Sequence, residues 1–499
     1  MFRQSADAGG FSVRIPPSTE NRVIIYMNEN QNSAKRREGA DLTTGSVPAT
    51  LLRFSVPLLI GNVLQLAYGM ADRFWAGRFL GKEALGAVSL ASLVIFVLIG
   101  FAWGVTMGSS ILVSQAWGAK DATGVRKAVA NSFIVGAILA LLSTLLLAGL
   151  SGPVLSLMGT PPELMEQARS YLAVMGIGVA LIFGFNLVSS VFRAIGDSMT
   201  PLRFLAIAVA LNVALDPIFM LGLWPIPPMG VAGAALATVL SEGAAFYFSF
   251  RSLQRNGGAA RVEIRRDTAD AKVMGRILRL GLPTGVQQII ISVGITVIQW
   301  FINAYGTDAI AAVGAQINID SLFFLPAMSL HLAVSAMVGQ NIGAGRFVRA
   351  RQTLQWGLVF CAISSLTFAL ASLLVPEALL RPFLRQEDAE ALRIGVRILR
   401  ILALPYLCVT AMVIFNGFFN GTGDTTAAMF LSLVSLWGIR IPAVWLLRTL
   451  FGLDGVWQGI AVGYTGSVIP ALLYYFWGLW RRKAIASWRS HRPGSVRPA

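Results

Sequence analysis

Two carboxylates stand where carboxylates are rare. Asp216 lies inside an apolar run, four residues after Asn212, so on a helix the acid and the amide share one face. Pro217 follows, and its missing N–H leaves a backbone carbonyl free and loosens the turn. A carboxylate, an amide and a loosened turn can together hold a proton or a small cation. The same groups also make an interhelical hydrogen-bond pair that only supports packing. Asp72 stands near the far end of another apolar run, beside Arg73. It reads either as an interfacial ion pair of the last helical turn or as a second carboxylate of the same site. Asn186 and, more weakly, Gln65 are polar positions in other apolar runs that can line the same cavity or act as packing glue.

The elements that must position these groups follow from composition. Of 499 residues, 55% are hydrophobic and only 13% charged, whereas a soluble chain carries about 25%. Much of the surface therefore faces something other than water. Apolar runs of helix-spanning length recur at 51–75, 85–111, 127–150, 169–192, 203–223, 231–250, 279–303, 308–338, 353–375, 396–419, 427–450 and 456–480. They are continuous rather than alternating, which excludes a barrel. The fold class is an all-α membrane protein of twelve spans. The second and eighth runs are long enough to tilt or to extend past the membrane. An acid at the bilayer centre costs about 2.5–3.5 kcal/mol on insertion scales, so its presence in a span points to a function.

Charge sets the topology. The net charge is +16, which in a soluble protein suggests nucleic acid, but here the basic residues sit between apolar runs. Of the 40 Lys and Arg, 28 fall on the side of the N-terminus and 9 on the other. Both termini are therefore expected in the cytoplasm, in a multi-pass protein of the cell inner membrane. Residues 1–49 form a polar tail with no signal-peptide core, and Met27 reads as a possible internal start. The two cysteines, Cys361 and Cys408, and the two histidines, His331 and His491, give no disulfide framework and no metal spacing. No cofactor is implied. The Gly-rich stretch Gly339–Gly345 lacks the lysine and the strand context of a nucleotide loop.

The chain repeats itself. Leu52-Arg53-Phe54-Ser55-Val56-Pro57 matches Leu278-Arg279-Leu280-Gly281-Leu282-Pro283. Ser114-Gln115-Ala116-Trp117-Gly118-Ala119 matches Gly339-Gln340-Asn341-Ile342-Gly343-Ala344. Arg193-Ala194-Ile195-Gly196-Asp197 matches Asn420-Gly421-Thr422-Gly423-Asp424. The offset is about 225 residues each time, so a six-helix unit is duplicated. An even number of spans gives both units one orientation, related by a pseudo-two-fold axis along the membrane normal. The expected division is a tail to residue 49, an N-lobe over 50–251, a linker over 252–277, a C-lobe over 278–480 and a C-terminal tail over 481–499. The basic stretch 251–279, with Gly257-Gly258, has room for a short amphipathic surface helix. In the second half Gln287, Gln288, Gln299, Asp320, His331, Asn416 and Arg440 are polar positions in spans. Gln287, Gln288 and Asn416 are weak candidates for the wall of a substrate cleft. Asp320, His331 and Arg440 read as structural.

Four stretches carry a family resemblance. They are Tyr68-Gly69-Met70-Ala71-Asp72-Arg73-Phe74-Trp75-Ala76-Gly77, Val113-Ser114-Gln115-Ala116-Trp117-Gly118-Ala119-Lys120, Phe192-Arg193-Ala194-Ile195-Gly196-Asp197-Ser198-Met199-Thr200-Pro201 and Gly230-Val231-Ala232-Gly233-Ala234-Ala235-Leu236-Ala237-Thr238. Over about residues 50–480 the chain resembles the multidrug and toxic compound extrusion (MATE) family. The resemblance implies two six-helix lobes around a V-shaped cleft, and export of cationic, amphipathic drugs in exchange for protons or sodium. A single chain is expected to work as a monomer. The resemblance also implies coupling roles for Asp72, Asn212 and Asp216, with Asn186 near a fourth-helix asparagine of the same site. A sodium-coupled branch uses acids in the seventh and tenth helices, and this chain has none there. The wider superfamily includes flippases of lipids and lipid-linked oligosaccharides, whose phosphate head groups call for a cation-lined cleft. A membrane enzyme or sensor needs a nucleophile–base constellation, a metal cluster or an attached soluble domain, and the sequence displays none of these.

Overall fold

A computed structural model describes residues 41–223, 227–385 and 387–490. Met27 and the rest of residues 1–40 lie outside the described residues. Among the described residues the regular structure is entirely helical. The first bundle comprises α1 (Val47–Trp75), α2 (Gly81–Gly118), α3 (Ala122–Leu157), α4 (Pro162–Ala194), α5 (Met199–Leu221) and α6 (Gly230–Asn256). The second comprises α7 (Ala271–Asn303), α8 (Thr307–Gly343), α9 (Phe347–Leu374), α10 (Ala389–Leu402), α11 (Pro405–Gly421), α12 (Thr425–Leu433) and α13 (Ile441–Trp477), followed by α14 (Leu479–Ser490). A π-helical turn, Ala76–Leu80, carries α1 into α2, and another, Val434–Arg440, joins α12 to α13.

Twelve spans emerge once two irregularities are read physically. The tenth span is broken: α10 and α11 meet at a bend of 58°, where Pro405 opens α11 without an N–H to continue the preceding ladder. The helical stretch Thr425–Trp477 has 53 residues, about 80 Å at 1.5 Å per residue, far more than a hydrocarbon core of about 30 Å. It folds back on itself at Gly452, whose φ of 61° and ψ of −134° are not helical and suit a residue with no Cβ. The two arms then run antiparallel in close contact. A Cβ on Gly455 would lie 2.0 Å from the Leu447 carbonyl oxygen, one on Gly459 2.4 Å from Val444 Cα, and one on Gly463 2.4 Å from Arg440 Cβ. Small residues on one face let membrane helices approach to backbone contact.

The two bundles repeat the same neighbour relations. In the first, α1 packs on α5, α2 on α4, and α4 on α6; in the second, α7 packs on α12, α8 on α11, and α11 on α13. The bundles meet along α1 with α8, α2 with α7, and α2 with α8. Asn62 Nδ2 donates to Ser329 Oγ at 2.9 Å across the first of these seams. Along the second, a Cβ on Gly104 would lie 2.6 Å from the Gly281 carbonyl oxygen, and one on Gly108 2.3 Å from the Ile277 carbonyl oxygen. These approaches lie toward the end of the molecule that carries Asp41 and Ser490, called here the terminal end. Toward the opposite, distal end Leu93 and Phe96 of α2 and Val293 and Ile295 of α7 are exposed, so the cleft widens as a V. The long helices α2 and α8, of 38 and 37 residues, extend to the terminal end and cross there.

The linker differs from expectation. Residues 257–270 hold a 3₁₀ turn over Gly258–Ala260 and no amphipathic helix. Gly258 takes a φ of 53°, and two adjacent glycines favour a turn over a helix. The buried Asn131 of α3 fixes the segment that follows, donating from Nδ2 to the Thr268 carbonyl at 2.8 Å and accepting from Asp270 N at 2.9 Å.

The glycine seam predicts a contrast. Gly459→Ala must push the two helix backbones apart and is expected to destabilise the protein by on the order of 1–3 kcal/mol. Gly314→Ala, where a Cβ meets nothing within 4 Å, is expected to leave the thermal midpoint in detergent unchanged or slightly raised. Equal midpoints for the two variants would refute close packing of the α13 arms.

Candidate functional site

The acids of the first bundle converge. α1 brings Asp72 in its last α-helical turn, immediately before the π-helical turn that starts at Ala76; such turns recur at functional sites. α5 brings Asn212 and Asp216 on one face, both fully buried. Asn212 Nδ2 donates to Asp216 Oδ1 at 3.2 Å. The Asp72 carboxyl lies against both Asp216 and Asn212. From α6, Thr238 Oγ1 lies 3.5 Å from Asp72 Oδ2 and 3.1 Å from the Ala234 carbonyl oxygen, either of which can take its one proton. The outward-facing side chain of the pair Asp72-Arg73 is the arginine, which is exposed.

Two members of this cluster escape a reading that looks for Asp and Asn alone. Glu242 of α6 is 5% exposed, one helical turn after Thr238, and faces Asp72 within Coulomb range. Tyr68 of α1, also buried, lies one turn before Asp72, near Thr238 and the three acids. The signal for Glu242 was present: it is an acid inside an apolar run, four residues from a hydroxyl.

The arrangement has more acceptors than donors. Asp72 Oδ1, Asp216 Oδ2, Glu242 Oε2 and Asn212 Oδ1 are all inaccessible and all lack a hydrogen-bond partner, as does the Tyr68 hydroxyl. One of the two N–H groups of the Asn212 amide goes to Asp216 Oδ1. Carboxylates packed together away from water repel one another and cannot all remain ionised. A proton on one of them turns an acceptor into a donor for its neighbour, and a small cation would satisfy several oxygens at once. Among the described residues no group of three His, Cys, Asp or Glu side chains has the arrangement to hold a metal ion.

The other sequence candidates lie elsewhere. Asn186 is half-buried in α4, and its Nδ2 donates to the Ile182 carbonyl of its own helix at 2.9 Å. Gln65 is exposed on α1 and Gln288 half-buried on α7. Gln287 and Asn416 are buried and converge on one hydroxyl: Gln287 Nε2 lies 2.6 Å and Asn416 Nδ2 3.0 Å from Ser432 Oγ. That triad ties α7, α11 and α12 together inside the second bundle.

The second bundle also has a polar core. The Tyr406 hydroxyl donates to Asp320 Oδ1, and Gln316 Nε2 lies 3.5 Å from Asp320 Oδ2 and 3.4 Å from the Tyr406 hydroxyl. Arg440, at the end of the second π-helical turn, stacks its guanidinium 4.3 Å from the centre of the Tyr464 ring, a cation–π contact. His331 Nδ1 meets the Val413 carbonyl at 2.9 Å, a packing role. This bundle pairs its acid with a tyrosine and places an arginine near it, whereas the first bundle gathers acids.

Likeness to known proteins follows the same architecture. The MatE family model matches residues 57–218 and 283–446, once in each bundle. The chain is 33% identical over 447 residues to a probable multidrug resistance protein, YpnP, of Bacillus subtilis, covering 88% of this chain and 97% of that one. It is 25% identical to the multidrug export protein MepA of Staphylococcus aureus, covering 85% and 93%. Among solved structures, a Vibrio cholerae MATE transporter, VcmN, superposes with a TM-score of 0.82 at 20% identity, over 88% of this chain and 98% of the other. A MOP superfamily transporter from Pyrococcus furiosus superposes with a TM-score of 0.81 at 24% identity, over 90% and 98%. Two matches to one family model, one per bundle, and relatives matched over nearly their whole length place this chain in the MatE family of multidrug efflux transporters.

Proposed function

We propose that this protein is a cation-coupled antiporter, driven by protons, that exports cationic or amphipathic compounds by alternating access. The observation that carries the reading is the cluster of Asp72, Asp216 and Glu242 with its unpartnered oxygens. Three acids on α1, α5 and α6 share one buried space, so protonation of one changes the forces on all three helices. In the state with the cleft open to the distal side, a proton entering the cluster removes a repulsion and adds a donor, drawing α1 toward α5 and α6. A cationic substrate held by the same negative field then loses its attraction and leaves. Release of the proton on the other side restores the field.

The charge bias supports the terminal end as cytoplasmic, and with it a distal side facing away from the cell interior, in the inner membrane. The N-lobe over 50–251 would carry the coupling chemistry. The C-lobe over 278–480 would form the opposing wall of the cleft, beyond the linker over 252–277. The chain would work as a monomer, since both lobes are supplied by the same chain. Asn186, Gln65, Gln287, Gln288 and Asn416 would contribute to the cleft lining or to its support.

In proteoliposomes, Asp216→Asn is expected to reduce drug-stimulated proton movement to that of empty vesicles while the protein remains monodisperse. Normal antiport in this variant would remove Asp216 from the mechanism. With the parent protein, a proton gradient alone is expected to drive uptake into inverted vesicles, and a sodium gradient alone is not. Sodium-driven uptake in the absence of a proton gradient would overturn the assignment of the coupling ion.

A further inference from the structure

At the terminal end, two glutamines make the same bond in opposite directions. Gln115 of α2 donates from Nε2 to the Gly421 carbonyl of α11 at 3.0 Å. Gln340 of α8 donates from Nε2 to the Ala194 carbonyl of α4 at 2.8 Å. Gln115 and Gln340 occupy matching positions of the internal repeat, and so do Ala194 and Gly421. Each bond is thus the pseudo-two-fold image of the other, and each crosses from one bundle to the other. Both glutamine side chains are buried, at 2% and 0% exposure.

The backbones around them are in matching contact. A Cβ on Gly118 would lie 1.9 Å from the Gln340 carbonyl oxygen, and one on Gly343 1.9 Å from the Gln115 carbonyl oxygen. Gly118 and Gly343 are again equivalent positions. No side chain larger than hydrogen fits at either crossing while the bundles are closed here.

The remaining acceptor of each glutamine is taken by a different end of the chain. Leu42 N donates to Gln340 Oε1 at 3.1 Å, and Ser487 Oγ donates to Gln115 Oε1 at 2.6 Å. Leu42 is 1% exposed. The segment around it is clamped by α9 and the turn before it: Arg349 Nη2 donates to the Thr44 carbonyl at 2.6 Å, Arg349 Nη1 to the Gly45 carbonyl at 2.6 Å, and Arg346 Nη1 to the Thr43 carbonyl.

We propose that Gln115 and Gln340 are the positioning residues that hold the two lobes shut at the terminal end. Residues 41–46 and helix α14 act as latches on those two glutamines, and so set the balance between the two access states. The proposal rests on the reading of this chain as an alternating-access transporter, in which this crossing must come apart once per cycle. Buried amides satisfied at both ends resist opening, because each would expose an unpaired donor or acceptor until water reaches it. A latch that supplies one partner of each amide therefore tunes the opening without touching the coupling acids.

The test uses the full chain in nanodiscs, with Cys361 and Cys408 replaced by Ser and spin labels at Arg126→Cys and Val348→Cys. Both label sites are exposed, one on each bundle. Pulsed dipolar distances are expected to show one short population in the parent. Gln115→Ala or Gln340→Ala removes both bonds of its amide and is expected to raise the ratio of long to short distances by roughly tenfold or more. Gln115→Glu, read at a pH high enough to ionise the carboxyl, keeps the acceptor for Ser487 and loses the donor to Gly421. Ser487→Ala and deletion of residues 1–45 report the latches alone and are expected to give smaller shifts in the same direction. Unchanged distances in a monodisperse Gln340→Ala protein overturn the gate. Where that variant does not fold, unchanged distances in Gln115→Glu, Ser487→Ala and the deletion overturn it. If the distances shift as expected in a protein that moves no drug, the gate stands and the assigned cargo falls.

Discussion

A peptide group in hydrocarbon has no water to bond, so a chain that crosses a membrane must satisfy its backbone from within. Every other feature of this molecule is shaped by that constraint. It makes the regular structure helical, and it makes each departure from an α-helix costly enough to be informative. The departures fall in few places. A π-helical turn follows Asp72, another ends at Arg440, a bend separates α10 from α11 at Pro405, and Gly452 reverses the chain between the last two spans. Two of these adjoin the polar groups of the bundle interiors, the bend at Pro405 breaks the tenth span, and Gly452 separates the last two spans.

The same medium governs the side chains. Hydrocarbon offers no reward for bringing helices together by burying apolar groups, so contact depends on small residues and on polar bonds. Glycine supplies the first along α2 with α7 and along the hairpin at Gly452. Hydroxyls and amides supply the second, as at Ser432, where Gln287 and Asn416 meet. The cluster around Asp72 and Asp216 stands out because partnerless buried oxygens of three carboxyl groups and one amide gather in one place. Where Gln287 and Asn416 meet Ser432 polarity ties helices together; around Asp72 acceptors outnumber donors.

Much of this was legible in the amino-acid sequence, for reasons that can be named. Continuous apolar runs and the placement of Lys and Arg between them fix the number of spans. The i, i+4 relation of Asn212 to Asp216 puts them on one face whatever surrounds them, and they do bond. What depends on which helices touch was not legible. Glu242 meets Asp72 only because α6 packs near α1, and Asn186 turns back onto its own helix. The bend at Pro405 lies within what reads as the entrance to a single span. The three repeat motifs were visible as matches, but their purpose was not: Gln115 with Gly421 and Gln340 with Ala194 pair motifs that lie over three hundred and over one hundred and forty residues apart.

The reciprocity of those two bonds has a bearing on ancestry. When residue i of one unit meets residue j of another, and j meets i in return, the contact is isologous, the pattern of a two-fold homodimer. A single six-helix chain carrying one glutamine and one matching carbonyl could build both bonds by pairing with a copy of itself. The two units differ in what their interiors hold, acids on α1, α5 and α6 in one and an arginine beside a tyrosine in the other, while the contact between them is symmetric.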